Sequence, residues 1–242
     1  MRTSHFARPI LALLATVPLL ASGWRSTAVG QGADTCPPGA SSITASPTTR
    51  SSPASGTPVV GDLPETAVRF GETDALLWRA GDHGVVLAHG AVYDAASWRP
   101  QAEVIAAAGT TVLALEQTSP DDILAGIRFL NEACGIAAVA LIGASAGASS
   151  AIAAAAREPA AVDQLIILSG SGDVAALGEH PKLFVASEGE GLADATRQMA
   201  EEATGADNEA LILSGSAHAQ AIFETEQGDD LLRAILDRLA AH

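Results

Sequence analysis

Lysine is nearly missing from this chain: Lys182 is the only one among 242 residues. Lysine and arginine together number 13 against 28 acids, so the formal net charge is −15. A surface this acidic repels phosphate backbones and anionic lipid faces, which argues against nucleic acid and against electrostatic membrane docking. Aromatics are also scarce, at 4%, and Tyr93 is the only tyrosine. The six histidines are scattered, and no pair has metal-ligand spacing, so no metal site is expected. No glycine-rich phosphate loop follows a strand, which argues against nucleotides. The expectation is no metal and no cofactor.

What is present is apolar and small. Hydrophobic residues make up 48% of the chain, so it is not a disordered polypeptide. Arg2 and Arg8 flank a short apolar run, Ile10 to Ala21, followed by Ala21-Ser22-Gly23. That is the pattern of an export signal over residues 1–23. The run is too short to span a bilayer comfortably, so no integral span is expected after cleavage. The region resembles a lipoprotein signal, but Trp24 stands where the lipidated cysteine would be, which argues against lipidation. Removing this segment takes away two arginines and no acid, shifting the charge from −15 to −17. The expected location is secreted, periplasmic or at the cell surface.

Cys36 and Cys134 are the only cysteines, and both survive signal removal. In an oxidising compartment they either pair, tying the tail to the domain, or remain as one buried and one exposed thiol. Residues 24–64 are expected to be a linker. Gln31 to Gly61 is rich in Ser, Thr, Pro, Ala and Gly, with no hydrophobic period. A folded domain is expected over 65–242.

Within that domain, apolar strands alternate with helical patterns. Strands are expected at 67–70, 75–79, 85–88, 111–115, 138–142, 164–168, 183–186 and 210–213. The first two suggest an antiparallel pair. Helices are expected at 98–108, from Ser119 to near Gly135, at 148–157, 193–203 and 229–240. Ser119-Pro120-Asp121-Asp122 supplies a cap, a first-turn proline and two early acids. Near-continuous apolar strands separated by helices specify a mostly parallel sheet covered on both faces. Sites in such sheets form at the carboxyl ends of the strands.

Four strand ends carry groups with chemistry. His89-Gly90-Ala91 follows 85–88, and Gly143-Ala144-Ser145-Ala146-Gly147 follows 138–142. Ser187-Glu188-Gly189-Glu190 follows 183–186, and Ser214 to His218 follows 210–213. A strand, G-x-S-x-G and then a helix is the context in which that serine stands clear of the sheet on a tight turn. A hydroxyl needs a base, and His218 is placed for that role by chain order. The histidine in turn needs a carboxylate to set its tautomer. Glu190 leads, with Asp173 second and Asp194 third. Read singly, the motif could be a small-residue turn, His218 a helix-capping histidine and Glu190 a solvated acid.

Together these residues resemble the α/β-hydrolase family over about 65–240. The resemblance rests on His89-Gly90, Gly143 to Gly147 and His218. It implies a three-layer α/β-hydrolase fold and a Ser145–Glu190–His218 triad. It also implies an oxyanion hole from the N–H groups of Ala91 and Ala146, with His89 supporting the loop. Some relatives place the acid after the preceding strand, which would be Asp173. Only about a dozen residues separate Gly170 from Lys182, where relatives insert a cap, so a capless, open site is expected. Val92, Tyr93 and Trp98 are candidate wall residues, Trp98 being the more natural packing residue. The function implied is hydrolysis of a small-molecule ester or other acyl substrate. Peptidase, thioesterase or amidase chemistry would use the same triad, and a non-catalytic binding module of the same fold is the reading from another class.

Overall fold

The computed structural model describes residues 35–38 and 63–241. The expected export segment, 1–23, lies outside the described residues. So does the expected linker 24–64, apart from 35–38 and 63–64.

Among the described residues, eight strands form one sheet: β1 (Glu65–Phe70), β2 (Thr73–Trp78), β3 (His83–Ala88), β4 (Thr111–Leu115), β5 (Ala138–Ala144), β6 (Gln164–Leu168), β7 (Lys182–Ser187) and β8 (Asn208–Leu213). Their spatial order is β1-β2-β4-β3-β5-β6-β7-β8. β2 runs antiparallel to β1 and β4, and the remaining pairs are parallel. Among the described residues, the α-helices α1 (Arg99–Ala107), α2 (Pro120–Arg128), α3 (Ala146–Arg157) and α4 (Ala193–Glu202) lie between strands, and α5 (Gly228–Ala241) follows β8.

Side chains alternate between the two faces of each strand, which splits the core into two layers. Val86, Leu113, Leu141, Ile167 and Phe184 pack with residues of α2, α3 and α4. Val85, Leu87, Ile142, Leu168 and Val185 pack with residues of α1 and α5. Burying each such side chain contributes about 1.5–3 kcal/mol, far more than helix propensity does. The result is the three-layer arrangement expected from the sequence. Residues 169–181, between β6 and β7, contain no helix or strand, so nothing is inserted there as a cap.

The cap of α2 forms as its sequence dictates. Ser119 accepts from the Asp122 N–H, and the Asp122 side chain accepts from the Ser119 N–H in return. The helix is shorter than the expected run to Gly135. It ends at Arg128 and continues as one wide π-turn, Phe129–Ala133, closed by Cys134 N–H donating to the Phe129 carbonyl. Cys134 is bonded to Cys36, so the two thiols pair. The expected linker is thus anchored to the domain at Cys36. Strands β7 and β8 begin one and two residues earlier than the apolar runs suggest, at Lys182 and Asn208. Lys182 is fully buried, and its ammonium donates to the carbonyls of Gly178 (2.8 Å), His180 (2.6 Å) and Thr204 (2.6 Å). A charged residue can start a buried strand when its donors are met in this way.

Candidate active site

The parallel register sets Ala88 beside Gly143, Ala144 beside Leu168, and Ser187 beside Leu213. The carboxyl ends of β3, β5, β6, β7 and β8 therefore share one edge. Every residue that the sequence singled out for chemistry leaves the sheet there.

Ser145 sits between β5 and α3 with φ 53 and ψ −113. Three described non-glycine residues have positive φ: Ser145, Ser169 (49) and Ala219 (53). Strain of this kind costs about 1–3 kcal/mol per residue and persists only where surroundings enforce it. At Ser145 the enforcement comes from its N–H donating to the Leu168 carbonyl (2.9 Å) and its own carbonyl accepting from Ala148 N–H (3.0 Å). The flanking glycines permit the approach. A Cβ on Gly143 would lie 2.6 Å from the Gly147 carbonyl oxygen and 2.7 Å from Ala151 Cβ. Glycine is thus required by strand–helix contact here.

Ser145 Oγ lies 2.8 Å from His218 Nε2, and His218 Nδ1 lies 2.6 Å from Glu190 Oε2. A carboxylate oxygen accepts, so Nδ1 carries the proton and Nε2 is left to accept from the serine hydroxyl. The other carboxylate oxygen, Glu190 Oε1, accepts from Ser169 Oγ–H (2.8 Å) and Ser187 N–H (2.6 Å). Glu190's side chain is only 3% exposed, whereas that of His218 is 50% exposed. The acid is held against the ring by three hydrogen bonds, and the ring is open to solvent. A hydroxyl backed by imidazole and carboxylate in this order can lose its proton as it attacks an electrophile.

The other two acids stay away from this line. Asp173 is exposed in the β6–β7 loop and accepts from Ala175 N–H (3.0 Å). Asp194 is exposed on α4 and pairs with Arg197 at 2.9 Å.

Opposite Ser145 runs the loop after β3. Both ring nitrogens of His89 face carbonyl oxygens, Gly90 at 2.8 Å and Glu116 at 3.1 Å. Its place is therefore structural. A Cβ on Gly90 would lie 3.4 Å from both Ser145 Cβ and Tyr93 Cδ2, so Tyr93 flanks the serine. Val92 stands in solvent, 89% exposed. Trp98 is buried at the start of α1 and meets Phe223 edge-on at 6.0 Å. It is a packing residue rather than a wall. The Ala146 N–H opens α3, where no intrahelical acceptor exists. The Ala91 N–H makes no hydrogen bond among the described residues.

Three participants were given no role by the sequence: Ser169, Ser187, and Gln220, whose buried side-chain oxygen accepts from Gly90 N–H. The two serines end apolar strands, the same signal that marks Ser145, but short polar residues are too common there to stand out. Gln220 carries no local signal. Among the described residues, no group of three or more His, Cys, Asp or Glu could hold a metal ion, and no helix is long and apolar enough to cross a membrane.

The architecture and the elbow at Ser145 define the class: the chain has the α/β-hydrolase fold. Solved structures that share it include a dienelactone hydrolase from Anabaena variabilis, at 18% identity and TM-score 0.62, covering 75% of this chain and 99% of that one. A monoacylglycerol lipase from Paleococcus ferrophilus matches at 16% identity and TM-score 0.58, covering 71% and 100%. A proline iminopeptidase from Mycobacterium smegmatis matches at 12% identity and TM-score 0.58, covering 74% and 98%. No family model and no curated protein sequence matches the chain. Likeness at these identities carries the fold alone.

Proposed function

We propose that this chain is an exported serine hydrolase that cleaves carboxylic esters. The observation that carries this reading is the hydrogen-bonded line Ser145–His218–Glu190 at the carboxyl edge of the sheet. Ser145 Oγ attacks the acyl carbon while its proton passes to His218 Nε2. The carbonyl oxygen becomes an oxyanion, received by the N–H groups of Ala91 and Ala146. The intermediate collapses, the C–O bond to the alcohol breaks, and the alcohol leaves with the proton from His218. Water then gives a proton to His218 and attacks the acyl-enzyme, releasing the acid and restoring Ser145. Glu190 holds the imidazole in the productive tautomer and stabilises its charged form. The reaction needs no cofactor.

An ester is favoured because no cap is inserted between β6 and β7 and the His218 side chain is half exposed, and because two of the three named structures are called a lipase and a dienelactone hydrolase. Export is supported by the pattern at residues 1–23 and by the Cys36–Cys134 bond, since such bonds persist in oxidising compartments. The test is turnover of p-nitrophenyl acetate, butyrate and octanoate, with labelling of Ser145 by a fluorophosphonate. Turnover and labelling that both vanish in Ser145→Ala are expected. Equal rates in both proteins would reject the ester reading, and no labelling would favour a non-catalytic module.

A further inference from the structure

Gln220 lies two residues beyond His218, and its side chain reaches the loop after β3. It is 5% exposed. Its Oε1 accepts from Gly90 N–H at 2.8 Å, and its Nε2 donates to Ser97 Oγ at 2.9 Å. Ser97 Oγ in turn donates to the Asp94 carbonyl at 2.5 Å. One buried amide therefore joins the His218 loop to the start and the end of the loop after β3.

The consequence lies in the direction of a neighbouring N–H. Gly90 has both polar backbone groups engaged. Its N–H is held by Gln220, and its carbonyl accepts from Tyr93 N–H (3.0 Å) and faces His89 Nδ1 (2.8 Å). No described peptide bond is cis. In a trans peptide the N–H points opposite to the carbonyl of the preceding residue. Fixing Gly90 therefore fixes where the Ala91 N–H points. It also removes the Gly90 N–H from any role as a donor to substrate. The left-handed turn at Ala219 (φ 53), whose N–H donates to Ser169 Oγ (2.8 Å), separates His218 from Gln220 so that each faces its own partner. Since Ser169 Oγ also binds Glu190, a continuous path runs from the acid through Ala219 to the loop after β3. An amide meets both partners as they stand, one accepting and one donating. A carboxylate could not donate to Ser97, and an alkyl side chain would leave a buried N–H unmatched.

We infer that Gln220 is a positioning residue for oxyanion stabilisation. It holds Gly90 so that the Ala91 N–H faces the developing charge, and it locks that donor in step with His218. The inference rests on the serine-hydrolase reading above. Misaiming one such donor weakens the transition state and leaves ground-state binding alone. In Gln220→Leu, kcat on p-nitrophenyl butyrate is expected to fall about 10- to 100-fold, less than full loss of a donor, with KM changed under about threefold. A trifluoromethyl ketone, whose adduct carries the same oxyanion, should bind more weakly by the same factor. In Gln220→Glu the Gly90 N–H keeps an acceptor, and kcat should lie nearer wild type than in Gln220→Leu. Hydrogen exchange at the Gly90 amide, followed on protein with labelled glycine, should quicken in Gln220→Leu. That readout is independent of turnover. If wild type neither turns over esters nor labels, the hydrolase reading fails while the bridge is still read by exchange. If Gly90 exchange quickens and kcat and inhibitor affinity stay at wild-type values, the positioning role is wrong. Should Gln220→Leu fail to fold, wild-type inhibitor affinity and kcat in Gln220→Asn, which is too short to reach Gly90, would overturn it equally.

Discussion

Replacing Glu190 by glutamine changes one atom and should nearly abolish turnover, for a reason set by three hydrogen bonds. Two donors converge on Oε1, Ser169 Oγ–H at 2.8 Å and Ser187 N–H at 2.6 Å. The glutamine carbonyl oxygen must take that position, so its NH2 faces His218 Nδ1, 2.6 Å away in the wild-type geometry. Nδ1 must then accept, and the ring proton moves to Nε2, where it confronts Ser145 Oγ. A base with its lone pair on the wrong nitrogen cannot take the serine proton. The flipped amide restores the tautomer but sets NH2 against the two donors. Losing those two bonds costs about 1–3 kcal/mol each, or about 2–6 kcal/mol together. That alone is roughly 30- to 10⁴-fold in rate, and the lost carboxylate charge adds to it. The expected fall in kcat is about 10³- to 10⁴-fold. Asp173→Asn, in an exposed loop and bonded only to its neighbour Ala175, should stay within about twofold of wild type. The assay is steady-state hydrolysis of p-nitrophenyl butyrate, with thermal melts to show that both variants fold. Equal losses in the two variants, or a fall of less than tenfold in Glu190→Gln, would refute the reasoning.

Two further outcomes concern stability. Burial and the nearby Lys182 ammonium hold His180 down to about 4, whereas an unfolded histidine titrates near 6.5. Between those values the unfolded chain binds the extra proton. This contribution is complete above about pH 6.5 and is lost as pH falls through about 4. Melting temperature from pH 7.5 to 4 should fall less steeply in His180→Asn than in wild type, and parallel curves would rule the histidine out. The Cys36–Cys134 bond spans a sequence separation of 98 residues. Removing it with a double alanine variant should lower the unfolding free energy by up to about 5 kcal/mol in a denaturant titration, given the entropy of a loop near 100 residues. Cys134 precedes β5 at the edge of the sheet opposite Ser145. Ester turnover in the folded variant should therefore be unchanged, and a loss would mean that the bond shapes the site.

The alternation of apolar strands and helices, the elbow at Ser145 and the order serine, acid, histidine were legible in the sequence. Each is a local pattern: a side-chain period, a turn that needs glycine, or a position after a strand. The choice among Glu190, Asp173 and Asp194 was only ranked there. All three are short acidic signals in loops, and nothing local says which loop folds beneath the imidazole. α2 is shorter than its composition predicts because the wide turn at Phe129–Ala133 keeps a helical composition while changing its hydrogen bonding.

What the sequence by itself determined was the set of chemical groups and the strand ends that carry them, because strand period and turn chemistry act over a few residues. What only the tertiary structure decided was which groups meet. Ser169 and Ser187 converge on Glu190, and Gln220 reaches Gly90 across a separation of 130 residues. Such bonds depend on sheet register and loop course, which arise from packing of the whole domain and leave no mark on any short stretch of chain.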